Sequence, residues 1–274
     1  MGLVGCLFMP HPPIVVPAVG GERVHEVQAT LEAMRAAGRE AADLCTEVIV
    51  LLSPHAPLDA DRVTVCTAAR YVGSLAMFGA PQVRADLRGE VALARAITHE
   101  AAERHVPLLE YGEGSERVAL DHGALVPLAF LLEQLGPPPA LVELNFSFRS
   151  PQVHLSFGAA VGAAIDSYPA RVLYVASGDL SHRLTPDAPA GYAPRGADFD
   201  RQVVEALREG DLESLSLIPP GLTEEAGECG YRSLLVLAGL LRGRSSGTRL
   251  LSYEGPFGVG YMVCVIDLRN KDGD

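Results

Sequence analysis

Three apolar runs of strand length each end in a loop that carries a histidine. Val4-Gly5-Cys6-Leu7-Phe8-Met9 enters Pro10-His11-Pro12-Pro13, and Val48-Ile49-Val50-Leu51-Leu52 enters Ser53-Pro54-His55-Ala56-Pro57. Arg171-Val172-Leu173-Tyr174-Val175-Ala176 enters Ser177-Gly178-Asp179-Leu180-Ser181-His182. Unbroken apolar runs, rather than alternating ones, are the pattern of strands covered on both faces. Ala140-Leu141-Val142-Glu143-Leu144-Asn145 is a further strand of this kind, and residues 250–254 and 260–266 form a C-terminal pair. Residues 62–67 and 71–73 read as short strands, whereas residues 82–87 alternate polar and apolar positions, as a half-exposed strand does.

Between the strands the period changes to that of a helix. Val24, Val27, Leu31, Met34 and Ala41 share one face of a helix over residues 22–44. Further helices are expected over 89–105, 129–135, 152–168, 198–209, 211–217 and 231–241. With no internal repeat, this alternation predicts one three-layer α/β/α domain spanning residues 1–274 around a central, mostly parallel mixed sheet. The Pro- and Gly-rich residues 185–196 hold little that can pack and are expected to gate a site.

Composition narrows the function classes. A net charge of −12, from 22 Lys and Arg against 34 Asp and Glu, argues against a nucleic-acid partner. No apolar stretch approaches the roughly 20 residues that cross a bilayer, and the N-terminus lacks a basic leader, so a soluble cytoplasmic protein is expected. Five cysteines without a CxxC pair fit neither a disulfide framework nor a structural zinc cluster.

Open α/β sheets bind ligands beyond the carboxyl ends of their strands, which is where His11, His55 and His182 fall. Two imidazoles, His11 and His55, with one carboxylate would form a facial triad suited to non-haem Fe(II). Glu228, between glycines at the start of a helix, is the best-placed carboxylate. Asp121 reads as a helix cap next to His122, and His154 as a buried structural histidine. His25, His99 and His105 fall on polar helix faces and read as surface residues.

These segments together resemble the class III extradiol ring-cleavage dioxygenases, within the catalytic B-type subunit superfamily that also includes the Memo proteins. The resemblance rests on Pro10-His11-Pro12-Pro13, Ser53-Pro54-His55-Ala56-Pro57, Asp121-His122-Gly123 with Val126-Pro127-Leu128, Ser177 to His182, and Gly227-Glu228-Cys229-Gly230, in the family's order along nearly the whole chain. It implies that His11, His55 and Glu228 hold Fe(II), that His182 is the acid/base next to dioxygen, and that His122 contacts the substrate. Asp121 and Asp179 would orient these imidazoles from outside the metal's ligands. Memo-like members have a Cys-Gly pair in place of the carboxylate, so Cys229 is the alternative ligand, suited to a softer ion such as Zn or Cu(I). The expected activity is opening of a catechol-like or aminophenol-like ring with O2, on a small aromatic substrate, with a homodimer as the default assembly. The alternative is a Memo-like metal-binding or partner-binding protein without ring cleavage.

Overall fold

A computed structural model describes residues 2–268 of the chain. In chain order it runs β1 (Gly2–Met9), α1 (Pro17–Gly20), α2 (Gln28–Asp43), β2 (Val48–Leu52), β3 (Val63–Cys66), β4 (Arg70–Leu75), β5 (Ala80–Arg88) and α3 (Val91–Glu103). There follow β6 (Leu108–Tyr111), β7 (Val118–Ala119), α4 (His122–Gln134), β8 (Ala140–Asn145), α5 (Pro151–Asp166) and β9 (Arg171–Ser177). The last elements are α6 (Gly196–Glu209), α7 (Pro220–Ala226), α8 (Tyr231–Leu241), β10 (Ser246–Glu254) and β11 (Tyr261–Leu268).

Eight strands form one sheet in the order β10-β11-β1-β9-β2-β8-β3-β6. Its centre, β1-β9-β2-β8, is parallel throughout, and antiparallel pairs join β11 to β1 and β3 to β8. The apolar runs are continuous because both faces are covered. Cys6, Phe8, Val50, Leu52, Tyr174 and Ala176 pack beneath α3, α5, α6 and α8. Leu7, Met9, Ile49, Leu51, Leu173 and Val175 pack on the opposite face beneath α2, α4 and a small sheet of β5-β4-β7. The three-layer α/β arrangement around a mostly parallel sheet is therefore as expected.

The differences from expectation fall at short or edge elements. Residues 13–27 form a succession of tight turns, and the regular helix begins at Gln28. Strands β6 and β7 lack an apolar run of their own and exist through pairing, β6 with β3 and β7 with β4. Only Ser214–Leu217 of the helix expected over 211–217 forms, as a single 3-10 turn. The Pro- and Gly-rich segment is tied down rather than free. Leu184 N–H donates to the Gly258 carbonyl at 3.0 Å, Ala193 N–H to that of Arg183 at 3.1 Å, and Arg195 pairs with Glu225 at 2.9 Å.

Candidate metal centre

The parallel strands β1, β2 and β9 deliver His11, His55 and Asp179 to one edge of the sheet, two or three residues past their last paired positions. His122 arrives there as the first residue of α4. Asp121 caps that helix, its Oδ1 accepting the Ala124 N–H at 3.1 Å and the Ser53 hydroxyl at 2.8 Å. One carboxylate thus fixes both the helix that carries His122 and the loop that carries His55.

The imidazoles converge. His11 Nε2 lies 3.1 Å from His55 Nε2, and a ring nitrogen of His122 lies within 4.8 Å of both. Two nitrogens bound in adjacent positions of one ion, each at about 2.0–2.1 Å, lie about 3 Å apart, so the spacing suits a shared cation. The tautomer of His11 can be deduced from its partners. The Ser177 hydroxyl gives its one proton to the Gly123 carbonyl at 2.6 Å and therefore accepts from His11 Nδ1–H at 2.9 Å. This leaves a lone pair on His11 Nε2, facing the centre. Burial, with the neighbouring His55 and His122 imidazoles, holds His11 well below its usual pKa, and burial lowers His55 as well. Neutral imidazoles are what a metal requires.

The expected carboxylate does not face the imidazoles. Glu228 is buried away from the centre, where its Oε2 accepts the Tyr231 N–H at 2.6 Å and its Oε1 lies 3.7 Å from Arg232 Nη1. The start of α8 and the Arg232 guanidinium have drawn the carboxylate outward. Burial pushes its pKa up to about 7. The side chain of the next residue points the other way, and Cys229 Sγ lies 3.7 Å from His11 Nε2. Consecutive residues diverge by about 100° at a helix start, so only one of the two can face the imidazoles. Here it is Cys229, the alternative donor, and the Glu228 carboxylate expected at the centre faces away from it.

Asp179 completes a second cluster with His11 and Cys229. Its Oδ1 accepts the His11 N–H at 3.0 Å, and its Oδ2 lies 3.8 Å from His11 Nε2 and 4.0 Å from His182 Nε2. Burial pushes Asp179 up to about 6 and the Cys229 thiol well above its usual value. A thiol in this setting becomes a thiolate when a cation displaces its proton. His182 stands beside Asp179 with its Nδ1 buried and without a hydrogen-bond partner. His154 does not belong to the group. It is buried, its Nδ1 at 3.0 Å from the Ser150 carbonyl and its Nε2 at 3.0 Å from that of Ser147, as expected of a structural histidine. The sequence reading missed Ser177, whose position at a strand end before a glycine was the available sign.

Three imidazole nitrogens in one cluster, and a nitrogen, a carboxylate and a sulfur in the other, with His11 common to both, are donors that suit a transition metal of the Fe, Zn or Cu kind and not Mg or Ca. Among the described residues no helix is long and apolar enough to cross a membrane.

Over 280 aligned residues the chain is 33% identical to a protein of Clostridium acetobutylicum, covering 99% of this chain but 59% of the length of that relative. The crystal structure of an uncharacterized protein from Escherichia coli K12 superposes with a TM-score of 0.62 at 17% identity, over 96% of this chain and 99% of that one, a likeness of fold. The family model described as the catalytic LigB subunit of aromatic ring-opening dioxygenase matches residues 5–264, a stretch that includes every residue of the converging cluster. With its paired histidines at the strand ends and its match along nearly the whole length, the chain belongs to the LigB family of aromatic ring-opening dioxygenases.

Proposed function

We propose that this chain opens the ring of a small catechol-like or aminophenol-like aromatic with dioxygen, at a metal ion held by His11, His55 and Cys229. The observation that carries this reading is that His11 Nε2 joins two donor clusters, with His55 and His122 on one side and with Asp179 and Cys229 on the other, while His182 stands beside Asp179. When bound, Fe(II) would supply the redox chemistry and lower the pKa of a hydroxyl placed against it.

The chain's own groups perform the remaining tasks. Ser177 and the Gly123 carbonyl hold His11 in one tautomer, so its donor atom does not have to reorient. His182 has a buried Nδ1 without a partner, which suits it to take a proton from a substrate hydroxyl and return it on ring opening. Asp179 faces the other ring nitrogen of His182 at 4.0 Å, a carboxylate beside the group that handles the proton. His122 is within reach of a substrate oxygen beside the two other imidazoles.

Cys229 favours a second reading, that of a Memo-like metal-binding protein without ring cleavage. A thiolate in the carboxylate's position shifts preference toward softer ions such as Zn or Cu(I). Anaerobic loading with Fe(II), followed by oxygen uptake with a panel of catechols and aminophenols, separates the two. Oxygen consumption with a coloured ring-opened product is expected. A protein that holds Zn or Cu tightly as purified and consumes no oxygen with any member of the panel overturns the first reading in favour of the second.

A further inference from the structure

The hairpin between β4 and β5 ends in Ala76-Met77-Phe78-Gly79, and its position is unexplained by packing. The base of the hairpin is anchored, with Leu75 paired to Ala80 and both fully buried. Gly79 closes the tip in the left-handed region at φ 81°, where a side chain would be strained. The tip itself buries little of its apolar surface, for Met77 is 94% exposed and Phe78 39% exposed. A firmly held turn that presents a thioether and a phenyl ring to water is an arrangement that a ligand would complete.

The direction of that ligand follows from the neighbours of Phe78. Its ring centroid lies 5.5 Å from that of His122 at an interplanar angle of 58°, and His122 in turn lies 4.2 Å from His55. The phenyl ring therefore continues the row of imidazoles outward from the candidate metal centre. We infer that Phe78 is a specificity-determining residue, forming with Met77 the apolar wall against which the ring of the substrate rests while its two oxygens face His11, His55 and His122. This inference rests on the ring-opening reading above and extends it. The substrate is an aromatic whose face distal to its polar edge is unsubstituted by charge, because a phenyl and a thioether offer no partner to an ionised group.

The test is binding rather than turnover, using the full chain with its metal. Anaerobic titration with 4-nitrocatechol, followed by its visible spectrum, reports an aromatic diol, and azide reports a metal ligand without a ring. Phe78→Ala is expected to weaken 4-nitrocatechol about tenfold, the scale of one aromatic contact with its covered area, while azide affinity and metal content stay unchanged. Phe78→Tyr is expected to restore diol binding. If the unaltered protein binds azide but not 4-nitrocatechol, the ring-opening reading fails and this inference with it. If the unaltered protein binds 4-nitrocatechol and Phe78→Ala binds it equally well, the inference alone is overturned. Loss of metal or of azide binding in Phe78→Ala also overturns it, since Phe78 would then be supporting His122 rather than contacting a ligand.

Discussion

Gly178 rests directly on Gly230, so closely that a methyl group on Gly178 would lie 2.2 Å from the Gly230 Cα. The obstacle is backbone, which cannot swing aside as a side chain would. Around this contact Cys229 N–H donates to the Asp179 carbonyl at 3.2 Å, and Asp179 N–H donates to Cys229 Sγ at 3.3 Å. The thiol reaches His11 because the loop after β9 and the loop before α8 touch through two residues that lack a Cβ.

Gly178→Ala should consequently separate the loops and weaken the metal centre far more than its single methyl suggests. Metal retained after dialysis is expected to drop well below one equivalent, and the melting temperature to fall by several degrees, in line with about 1–3 kcal/mol for overpacking. Gly136→Ala is a suitable control, since nothing lies within 4 Å of a Cβ at that exposed position. Equal metal content in the two variants would contradict the clamp.

Cys229→Ser and Glu228→Gln should behave in opposite ways toward metal. Removing the thiol takes away a donor facing His11, and metal affinity is expected to fall by more than the roughly 10–100-fold typical of lost outer contacts. Glu228→Gln changes a group that faces the Tyr231 amide and Arg232, so metal content is expected to stay the same. Competition against a chelator of known affinity gives both numbers. Substitution with Co(II) adds an independent check, because a thiolate-to-cobalt charge-transfer band is expected in the unaltered protein and in Glu228→Gln but not in Cys229→Ser.

His182→Ala should retain its metal and lose turnover by about two to four orders of magnitude, the usual contribution of a positioned acid–base group. Metal analysis and oxygen uptake on one preparation check this. Asp179→Asn is expected to lower turnover less and to shift the pH profile, since its carboxylate lies 4.0 Å from His182 Nε2. A His182→Ala protein with full activity would remove His182 from the mechanism.

The sheet and the histidines could be read from the sequence because a doubly covered parallel strand is apolar at every position, and the residue after such a strand falls at the ligand-binding edge. β1, β2 and the interior of β9 follow that rule, β8 departs from it at Glu143 and Asn145, and His11, His55 and His182 lie in the loops that follow β1, β2 and β9. The choice between Glu228 and Cys229 was not readable, because it is made by contacts with a segment about 50 residues away. The Gly178–Gly230 contact turns Cys229 inward, and the Tyr231 amide with Arg232 draws Glu228 outward. Phe78 could not be singled out from the chain's other aromatic residues for a related reason, as its neighbour His122 belongs to a helix more than 40 residues further along. β6 escaped notice because a four-residue edge strand carries little pattern beyond what its partner imposes.

One acid inside the core gives a prediction about stability that does not depend on the metal. Glu143 lies in the middle of β8, fully buried, with one oxygen accepting the Tyr111 hydroxyl at 2.7 Å and the other unpartnered. Burial pushes its pKa up to about 8, against about 4.3 in an unfolded chain. Between those values the folded protein keeps this proton and the unfolded chain has lost it, so the unfolded state binds fewer protons and stability falls as pH rises. Asp179, Asp200 and Glu228 are also raised by burial, to about 6, 6 and 7, so the contribution of Glu143 stands apart between about pH 7 and 8. Over that unit the loss should be about 1 kcal/mol. Glu143→Gln keeps an acceptor for Tyr111 without a proton to lose, and should flatten the decline. Urea unfolding of both proteins, stripped with chelator and compared at pH 7.0 and 8.0, measures the difference, and parallel declines in the two would show that Glu143 is ionised in the folded state throughout.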